Sequence, residues 1–197
     1  MPQANPRKTA SLRPLGKVDV SALREAVLAI PEPVWNFENS SKPNDYRALD
    51  RTRHVVFRFV DSTRDWRRSH DRPLWDSWRP RLEPVLRQAV APYAYANGVF
   101  PRMMLARMPP GGEIKPHQDT NVAARWPHKI HVPILSNDRV AFWIDGKAYH
   151  LPVGEAFEVN NMAVHAVRNG GDSDRIHLIF EYYDADQPDP AWIEPLR

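Results

Sequence analysis

The motif His117-x-Asp119 places two potential metal ligands two residues apart, shortly after a glycine turn and the apolar run MMLARM. In an extended backbone, residues i and i+2 face the same side, so these two side chains can converge on one atom. A third ligand must come from elsewhere in the fold, and His165 is the natural candidate. Two neutral imidazoles and one carboxylate form the facial triad that holds non-haem Fe(II) and leaves three coordination positions open. Taken alone, His-x-Asp is also typical of a surface histidine beside a carboxylate, so both interpretations stand at this point.

Arg175 follows His165 by ten residues and opens the apolar run RIHLIFEYY. An arginine that points inward among Ile, Leu and Phe side chains needs a partner. Its planar guanidinium binds a carboxylate through two parallel hydrogen bonds. The alternative is an exposed arginine at the strand end, which closes the GGDSD turn and pairs with Asp174. Arg175 is therefore either a carboxylate clamp or a strand-end residue.

The composition is that of an ordinary globular protein, with 42% hydrophobic and 26% charged residues in a chain of 197. No run approaches the ~18 apolar residues of a membrane span. The N-terminus lacks the apolar segment of a secretory signal, so a cytoplasmic location is expected. The absence of cysteine excludes disulfide scaffolds, iron–sulfur clusters and thiol nucleophiles. The net charge of only +3 gives weak support for a polyanionic partner.

Short strands are predicted throughout the second half of the chain. Twenty prolines against eight glycines favour short strands joined by rigid turns over a helical bundle. Turn residues separate seven strand-like runs: MMLARM, KIHVPIL, VAFWI, AYHLP, EAFEV, HAVRN and RIHLIFEYY. Asp145-Gly146, between two of these runs, predicts a type I′ hairpin. Strands with this length and spacing indicate an all-β barrel or sandwich.

The first half of the chain is predicted to be mainly helical. The expected elements are a helix over 20–29 capped by Asp19, a loop over 36–51, a strand over 54–60 and a helix over 72–95. Pro31 and Pro33 should end the first helix, and internal prolines should kink the second. We expect a disordered tail over 1–14 and a single domain over 15–197. Within that domain, 15–100 would give helical support and 101–184 the barrel core.

The combined pattern of His117-x-Asp119, His165 and Arg175 resembles that of the iron(II)/2-oxoglutarate-dependent dioxygenases. More narrowly, GEAFEVNNMAVHAVRNGGDSDRIHLIF (154–180) is similar to the aspartyl/asparaginyl β-hydroxylase family, whose arrangement the bacterial free-proline hydroxylases share. The common features are a Gly-Glu turn, an aromatic-acidic strand, a histidine followed by Val and Asn, and an arginine-led apolar strand. The resemblance implies a mainly β fold, a double-stranded β-helix (a jelly-roll or cupin-like barrel), here with an N-terminal helical layer.

The resemblance also implies roles for the four residues of the pattern. His117, Asp119 and His165 would be the iron ligands, and Arg175 would grip the distal carboxylate of 2-oxoglutarate. The animal members of the family carry a small residue in place of the carboxylate ligand. The presence of Asp119 therefore puts this chain nearer the bacterial members.

The family places a histidine at the other end of the cosubstrate, and the run KIHVPI offers His131 for that position, with Lys129 as a companion. Strand alternation supports this choice, because Lys129 and His131 share one face while the intervening aliphatic residues share the other. The spacing from His117 is about three residues longer than in the animal enzymes. His128 is the competing choice, with a solvated turn imidazole as its alternative interpretation.

The implied activity is hydroxylation of an amino acid, free or as a residue in a peptide, using Fe(II), 2-oxoglutarate and O2 and releasing succinate and CO2. One alternative is a cupin-type metal dioxygenase that does not use 2-oxoglutarate, which would need no Arg175 clamp. The other is a catalytically silent ligand-binding barrel, which would need no open iron site. Four basic residues are candidates to meet a substrate carboxylate: Arg53, Arg58, Arg107 and Arg125.

Several polar and aromatic residues have simpler explanations. The strand histidines His54, His150 and His177 are more often buried barrel residues than ligands, although His177 shares a face with Arg175. Asn160 and Asn161 could orient the distal histidine or form an Asx turn. Tryptophans interleaved with arginines can stack nucleic-acid bases. Helical spacing of Trp75 and Trp78 favours core anchors instead, so nucleic acid is not the expected partner.

Overall fold

A computed structural model describes residue 8, residues 10–43, residue 49 and residues 51–188. The first elements in chain order are β1 (Leu12–Lys17), α1 (Ser21–Leu28), α2 (Glu32–Ser40), β2 (Arg53–Ser62), β3 (Asp65–Asp71) and α3 (Trp75–Val90). They are followed by β4 (Gly98–Val99), β5 (Met103–Met108), β6 (Glu113–His117), α4 (Val122–Arg125), β7 (His128–Leu135) and β8 (Val140–Ile144). The last are β9 (Lys147–Tyr149), β10 (Glu155–Val159), β11 (His165–Asn169) and β12 (Arg175–Asp184).

Two antiparallel sheets form the body of the protein. The larger sheet has the strand order β1-β10-β7-β12-β5-β2-β3, with β4 beside β12, and the smaller sheet has the order β6-β11-β8-β9. Apolar residues from both sheets share one cluster, in which Ile114, Phe142 and Val167 of the smaller sheet meet Met108 and Phe157 of the larger. Non-sequential neighbours in both sheets are typical of a jelly roll. The mainly β, double-stranded β-helix prediction is confirmed.

The helical layer covers the outer face of the larger sheet. Leu23 of α1 and Leu82 of α3 share one core cluster with Leu105 of β5 and Ile130 of β7, all buried. Burying each such aliphatic side chain contributes roughly 1.5–3 kcal/mol to folding. Because alternate residues of a strand face opposite sides, the neighbours of the core residues on β7 point between the two sheets. The side chains of Lys129 and His131 therefore point into the cavity that the predicted metal ligands also line.

The first half of the chain contributes strands as well as helices, which differs from the prediction of helical support over 15–100. β1 pairs with β10, β2 with β5, β3 with β2 and β4 with β12, so this half supplies four strands of the larger sheet. The disordered tail expected over 1–14 is wrong for residues 12–14, which belong to β1. The positions from 1 to 7 and position 9 lie outside the described residues. Strand pairing over such sequence distances leaves no local signal.

Prolines mislead the sequence prediction at both helices of this half. The loop predicted over 36–51 is wrong over 36–40, because α2 occupies Glu32–Ser40. Pro31 and Pro33 lie at its N-terminus, where a missing N–H costs nothing. Pro80 and Pro84 lie within α3 on its exposed face, where water can satisfy the carbonyls that they leave unpaired. Positions 44–48 and 50 lie outside the described residues.

One local prediction agrees with the structure and another agrees in part. The Asp19 carboxylate accepts a hydrogen bond from the Ser21 backbone N–H at 3.0 Å, but α1 begins one residue later than predicted and its N-cap is Val20. Asp145 and Gly146 have φ values of 49° and 75°, as a type I′ turn between β8 and β9 requires. No helix in the described part of the chain combines the length and the apolar character needed to cross a bilayer.

Candidate active site

The two predicted histidine ligands lie opposite each other on neighbouring strands. His117 ends β6 and His165 begins β11, and the two are direct partners in the antiparallel register. Their ring centroids are 4.2 Å apart. Asp119 follows His117 by two residues, and one potential ligand atom from each of the three side chains lies within 4.8 Å of the others. The structure therefore brings together the three residues that the spacing suggested.

Backbone carbonyls set the tautomer of both imidazoles. His117 Nδ1 donates to Lys115 O at 2.9 Å, and His165 Nδ1 donates to Ala163 O at 3.0 Å. Because a carbonyl oxygen only accepts, the proton of each neutral ring is held on Nδ1 and Nε2 is left as the ligand atom. Burial lowers the pKa of His165, which also favours the neutral ring. This donor set of two imidazole nitrogens and one carboxylate fits non-haem Fe(II).

Asn161 orients the Asp119 carboxylate. The Asn161 side-chain amide donates to Asp119 Oδ2 at 3.0 Å, and the Asp119 backbone N–H donates to Asn161 O at 2.9 Å. The same amide donates to Ala124 O at 3.0 Å, and the buried Lys8 ammonium donates to Asn161 Oδ1. The side chain of Asn161 thus links the metal ligand to both the N-terminal segment and α4. Of the two interpretations offered for Asn161, the orienting one fits, although its target is the aspartate rather than the histidine.

The pKa of Asp119 lies well below its usual range. Burial alone would raise it, but the Lys129 ammonium, 3.6 Å from Asp119 Oδ2, lowers it together with His165 and the Asn161 hydrogen bond. These favourable interactions outweigh the loss of hydration. The carboxylate is therefore ionised, as a metal ligand must be.

Arg175 is buried at the opposite end of the same cavity. Its side chain is inward, with the residue only 1% exposed, and Nη2 contacts His177 Nδ1 at 2.7 Å. Asp174 pairs instead with Arg107 at 2.5 Å, so the strand-end interpretation of Arg175 is wrong. Among the described residues, Arg175 Nε has no hydrogen-bond partner and no carboxylate pairs with the guanidinium. Burial lowers its pKa to about 9, a sign of a cation that lacks an anionic partner.

His131 and Lys129 both line the cavity. His131 is buried, and its Nδ1 has no hydrogen-bond partner among the described residues. Burial and the nearby Arg175 guanidinium keep its pKa well below the usual range, so the ring is neutral. The Lys129 ammonium lies nearer the ligand triad, between Asp119 Oδ2 and Glu181 Oε1, the latter at 3.4 Å.

His128, the competing choice, lies outside the cavity. It is buried rather than solvated, with Nδ1 at 2.6 Å from Glu158 Oε1 and Nε2 at 2.8 Å from the Tyr95 hydroxyl. The expectation of a solvated turn imidazole is therefore wrong. The reason is that β7 begins at His128 and carries it against the aromatic side chains of the helical layer.

Of the three strand histidines, His54 and His177 lie at the cavity or contact a residue that lines it, and His150 does not. His54 lines the cavity, and its Nε2 lies 3.2 Å from Thr52 Oγ1. Burial lowers the pKa of His54 to about 3. His177 contacts Arg175, as described above, whereas His150 lies at the edge of the smaller sheet with Nδ1 at 3.4 Å from Val140 O. Asn160 forms an Asx turn in which its side-chain oxygen accepts from the Met162 N–H at 3.1 Å.

Three of the arginines proposed for a substrate carboxylate are paired with carboxylates outside the cavity. Arg53 binds Glu32, Arg58 binds Asp71 at 2.6 Å, and Arg107 binds Asp174 and Glu32. Arg125 is not among the residues that line the cavity. The tryptophan interpretation as core anchors fits, since Trp78 packs on Phe57 with ring centroids 5.5 Å apart.

Sequence reasoning missed Arg102, which is buried and lines the cavity. The signal was present, because Arg102, Met104 and Ala106 are spaced by two and all three line the cavity. The volume of the cavity is about 120 Å³, which is enough for several water molecules. Its described lining residues are Leu49, Thr52, His54, Phe59, Arg102, Met104, Ala106, Ile114, His117, Asp119, Asn121, Lys129, His131, Phe142, His165, Val167, Arg175 and Ile179.

A sequence profile shows which family has this arrangement. The profile described as Aspartyl/Asparaginyl beta-hydroxylase matches residues 79–185, more than half of the chain. The chain belongs to the aspartyl/asparaginyl β-hydroxylase family. The matched span contains all six predicted site residues, and membership makes the protein a 2-oxoglutarate-dependent hydroxylase. No curated protein matches the chain significantly.

Solved structures show the same fold for the hydroxylase at low sequence identity. An oxidoreductase of the 2OG-Fe(II) oxygenase family from Burkholderia pseudomallei has a TM-score of 0.58 at 13% identity, over 87% of this chain and 84% of that one. HygX from Streptomyces hygroscopicus, with nickel and 2-oxoglutarate bound, has a TM-score of 0.55 at 12% identity, over 90% and 84%. A Pseudomonas putida prolyl-4-hydroxylase has a TM-score of 0.50 at 11% identity, over 89% and 94%.

Proposed function

We propose that the protein hydroxylates an amino acid, free or as a residue in a peptide, with Fe(II) held by His117, Asp119 and His165. The observation that carries this proposal is the convergence of these three side chains, within 4.8 Å, in a cavity that is also lined by a buried arginine with no carboxylate partner among the described residues. When bound, Fe(II) with 2-oxoglutarate and O2 supplies the oxidative chemistry, which converts the cosubstrate to succinate and CO2 and adds one oxygen atom to the substrate.

Arg175 would bind the distal carboxylate of 2-oxoglutarate. The contact with His177 holds its guanidinium in place, and its burial means that a bound carboxylate would face little competition from water. His131 would contact the cosubstrate between Arg175 and the metal, since its ring lies on the same cavity and its Nδ1 is free of described partners. Lys129 would add positive charge at the end nearest Asp119.

Apolar side chains would keep water away from the reacting groups. Phe142 stacks on His165, with the ring centroids 6.3 Å apart and an interplanar angle of 4°. Ile114 and Val167 close the same side of the cavity, while Phe59 and Met104 lie opposite. In such a dry site the charges of Arg175 and the metal ligands act more strongly than in water.

We also propose that residues 15–197 act as one domain with 101–184 as its barrel core. The sharing of one sheet by strands from both halves of the chain supports a single domain, and β1, β2, β3 and β4 extend its larger sheet beyond 101–184. A cytoplasmic location remains a prediction from the sequence.

The test is a survey of succinate release by the Fe(II)-loaded protein over a panel of free amino acids and of the same residues inside capped tripeptides. At least one compound should stimulate 2-oxoglutarate turnover and be recovered with one added oxygen atom. If a compound stimulates oxygen consumption equally well without 2-oxoglutarate, the protein would instead be a metal dioxygenase that needs no cosubstrate. Failure of Fe(II) and 2-oxoglutarate to give any succinate would contradict the proposal.

Replacing Asn161 by alanine should weaken metal binding by about 10–100-fold, the usual cost of losing a group that orients a ligand. The Asp119 carboxylate would lose its 3.0 Å hydrogen bond and turn more freely. The dissociation constant can be measured by titration with Co(II). Asn97→Ala is the matched control, because Asn97 is exposed, does not line the cavity and donates its side-chain amide to Asp186 Oδ2 at 2.7 Å. Equal metal affinity in Asn161→Ala and the parent protein would show that Asn161 has no orienting role.

A further inference from the structure

A second arginine is fixed at the end of the cavity away from Arg175. Arg102 is only 6% exposed, and its guanidinium donates to Glu181 Oε1 and to Asn121 Oδ1, both at 3.2 Å. Its Cζ lies 5.3 Å from the centroid of the Phe59 ring. A guanidinium has five N–H donors, and these two hydrogen bonds leave donors of a fixed fork for a ligand.

The two arginines contact different positions along β12. The guanidinium of Arg175 contacts the side chain of His177, and that of Arg102 contacts the side chain of Glu181. His177 and Glu181 are four residues apart on β12, which corresponds to about 13 Å along a strand. Because the other end of a cosubstrate bound by Arg175 would be held at the metal, Arg102 would be left available for a different anion.

The net charge of the cavity also favours the binding of an anion. The charged side chains that line its described part are the cations Arg102, Lys129 and Arg175 and the anion Asp119. Glu181 is buried and is not among the lining residues, but it pairs with Arg102 and Lys129, so the five groups together have an excess of one positive charge. Fe(II) and the dianion of 2-oxoglutarate would cancel each other. One unit of positive charge then remains, and a buried uncompensated charge is costly.

We propose that Arg102 binds a free carboxylate of the substrate and thereby selects compounds that carry one. This inference rests on the proposed function, because it takes Arg175 and the metal to be occupied by 2-oxoglutarate. Phe59, Met104 and Ile179 form the adjacent wall of the cavity, so the substrate presents an apolar body next to its carboxylate. Asn121 and Glu181 position the guanidinium and do not themselves select the substrate.

The test uses isovalerate, a branched apolar carboxylate, and isovaleramide, its neutral counterpart. The protein is loaded with Co(II) and 2-oxoglutarate, and the affinities of the protein for both are measured in the same samples. Binding of isovalerate or isovaleramide near the metal is then detected by NMR as paramagnetic broadening of the methyl signals of the compound. Isovalerate should be broadened and isovaleramide should not. Arg102→Met should weaken isovalerate binding by about 30-fold or more, since it removes one partner of a charged pair.

Arg102→Met leaves Glu181 with fewer partners and could fold poorly, so a second variant is needed to separate a loss of binding from a folding defect. Arg102→Lys keeps a counterion for Glu181 but loses the fork, and should weaken isovalerate binding by about tenfold or more. Arg139→Met, at an exposed arginine that pairs with Asp172, is the control and should match the parent protein.

The outcomes separate the two proposals. If Co(II) and 2-oxoglutarate bind but isovalerate is not broadened, or if Arg102→Lys matches the parent protein, the role of Arg102 is overturned and the proposed function stands. If the parent protein binds neither Co(II) nor 2-oxoglutarate, both proposals fall.

Discussion

The Arg175→Met variant is expected to need about 30-fold to several thousand-fold more 2-oxoglutarate for half-maximal turnover than the parent protein. Removing one partner of a buried, bidentate charged pair costs about 2–5 kcal/mol, which gives this range of affinities. Arg175 is 1% exposed, so water could not replace the lost contact. Succinate release as a function of 2-oxoglutarate concentration measures the effect, and the substrate concentration required should change far less.

The matched control for Arg175→Met is Arg139→Met, which removes an exposed arginine on another surface. It should leave the 2-oxoglutarate requirement unchanged. A contrary result would be an Arg175→Met protein with a lower melting temperature but the same 2-oxoglutarate requirement. Arg175 would then be a structural residue of β12 rather than a cosubstrate ligand.

The Asp119→Ala variant is expected to lose most of its hydroxylation. Iron would be held by two imidazoles, and one unit of negative charge next to Lys129 would be gone. The loss of metal affinity should exceed the roughly 10–100-fold cost of removing a group that only orients a ligand. Residual activity is compatible with the resemblance, since the animal members of the family lack this carboxylate. Asp172→Ala, at an exposed aspartate, is the control.

Asp119 would also influence which group is transferred to the substrate. If its carboxylate is a ligand of the iron, it would occupy the position that chloride would need, so the product should carry a hydroxyl group. Mass spectrometry of the product formed in excess chloride checks this expectation. A chlorinated product from the parent protein would contradict the assignment, and so would parent-like turnover by Asp119→Ala.

The parts of the fold that could be predicted from sequence depend on short-range patterns. Alternation along β7 and β12 follows from the two-residue period of strands, and the Asp145-Gly146 turn follows from the need for positive φ. His117 and Asp119 could be paired because i and i+2 share a face. His165 could be named only as a candidate for the third ligand, and the family resemblance supported that choice, because nothing local indicates that β6 and β11 are neighbours.

The parts that could not be predicted depend on contacts between distant segments. Lys8 was assigned to a disordered tail, yet its ammonium binds Asn161 beside the metal ligands. β3 was not recognised because its strand DWRRSHD lies at the edge of the sheet and is mostly polar. The two-residue spacing of Arg102 and Met104 places Arg102 on the cavity face, but its hydrogen bonds to Glu181 depend on the partner strand β12 and leave no local signal.

If His117, Asp119 and His165 hold one iron, anaerobic titration with Fe(II) in the presence of 2-oxoglutarate should show a single binding site. The visible charge-transfer absorption of the chelated cosubstrate should saturate at one Fe(II) per chain. His165→Ala should lose this absorption and most of its metal, whereas His150→Ala, at a histidine on the edge of the smaller sheet, should keep both. Equal stoichiometry and absorption in His165→Ala and the parent protein would contradict the account.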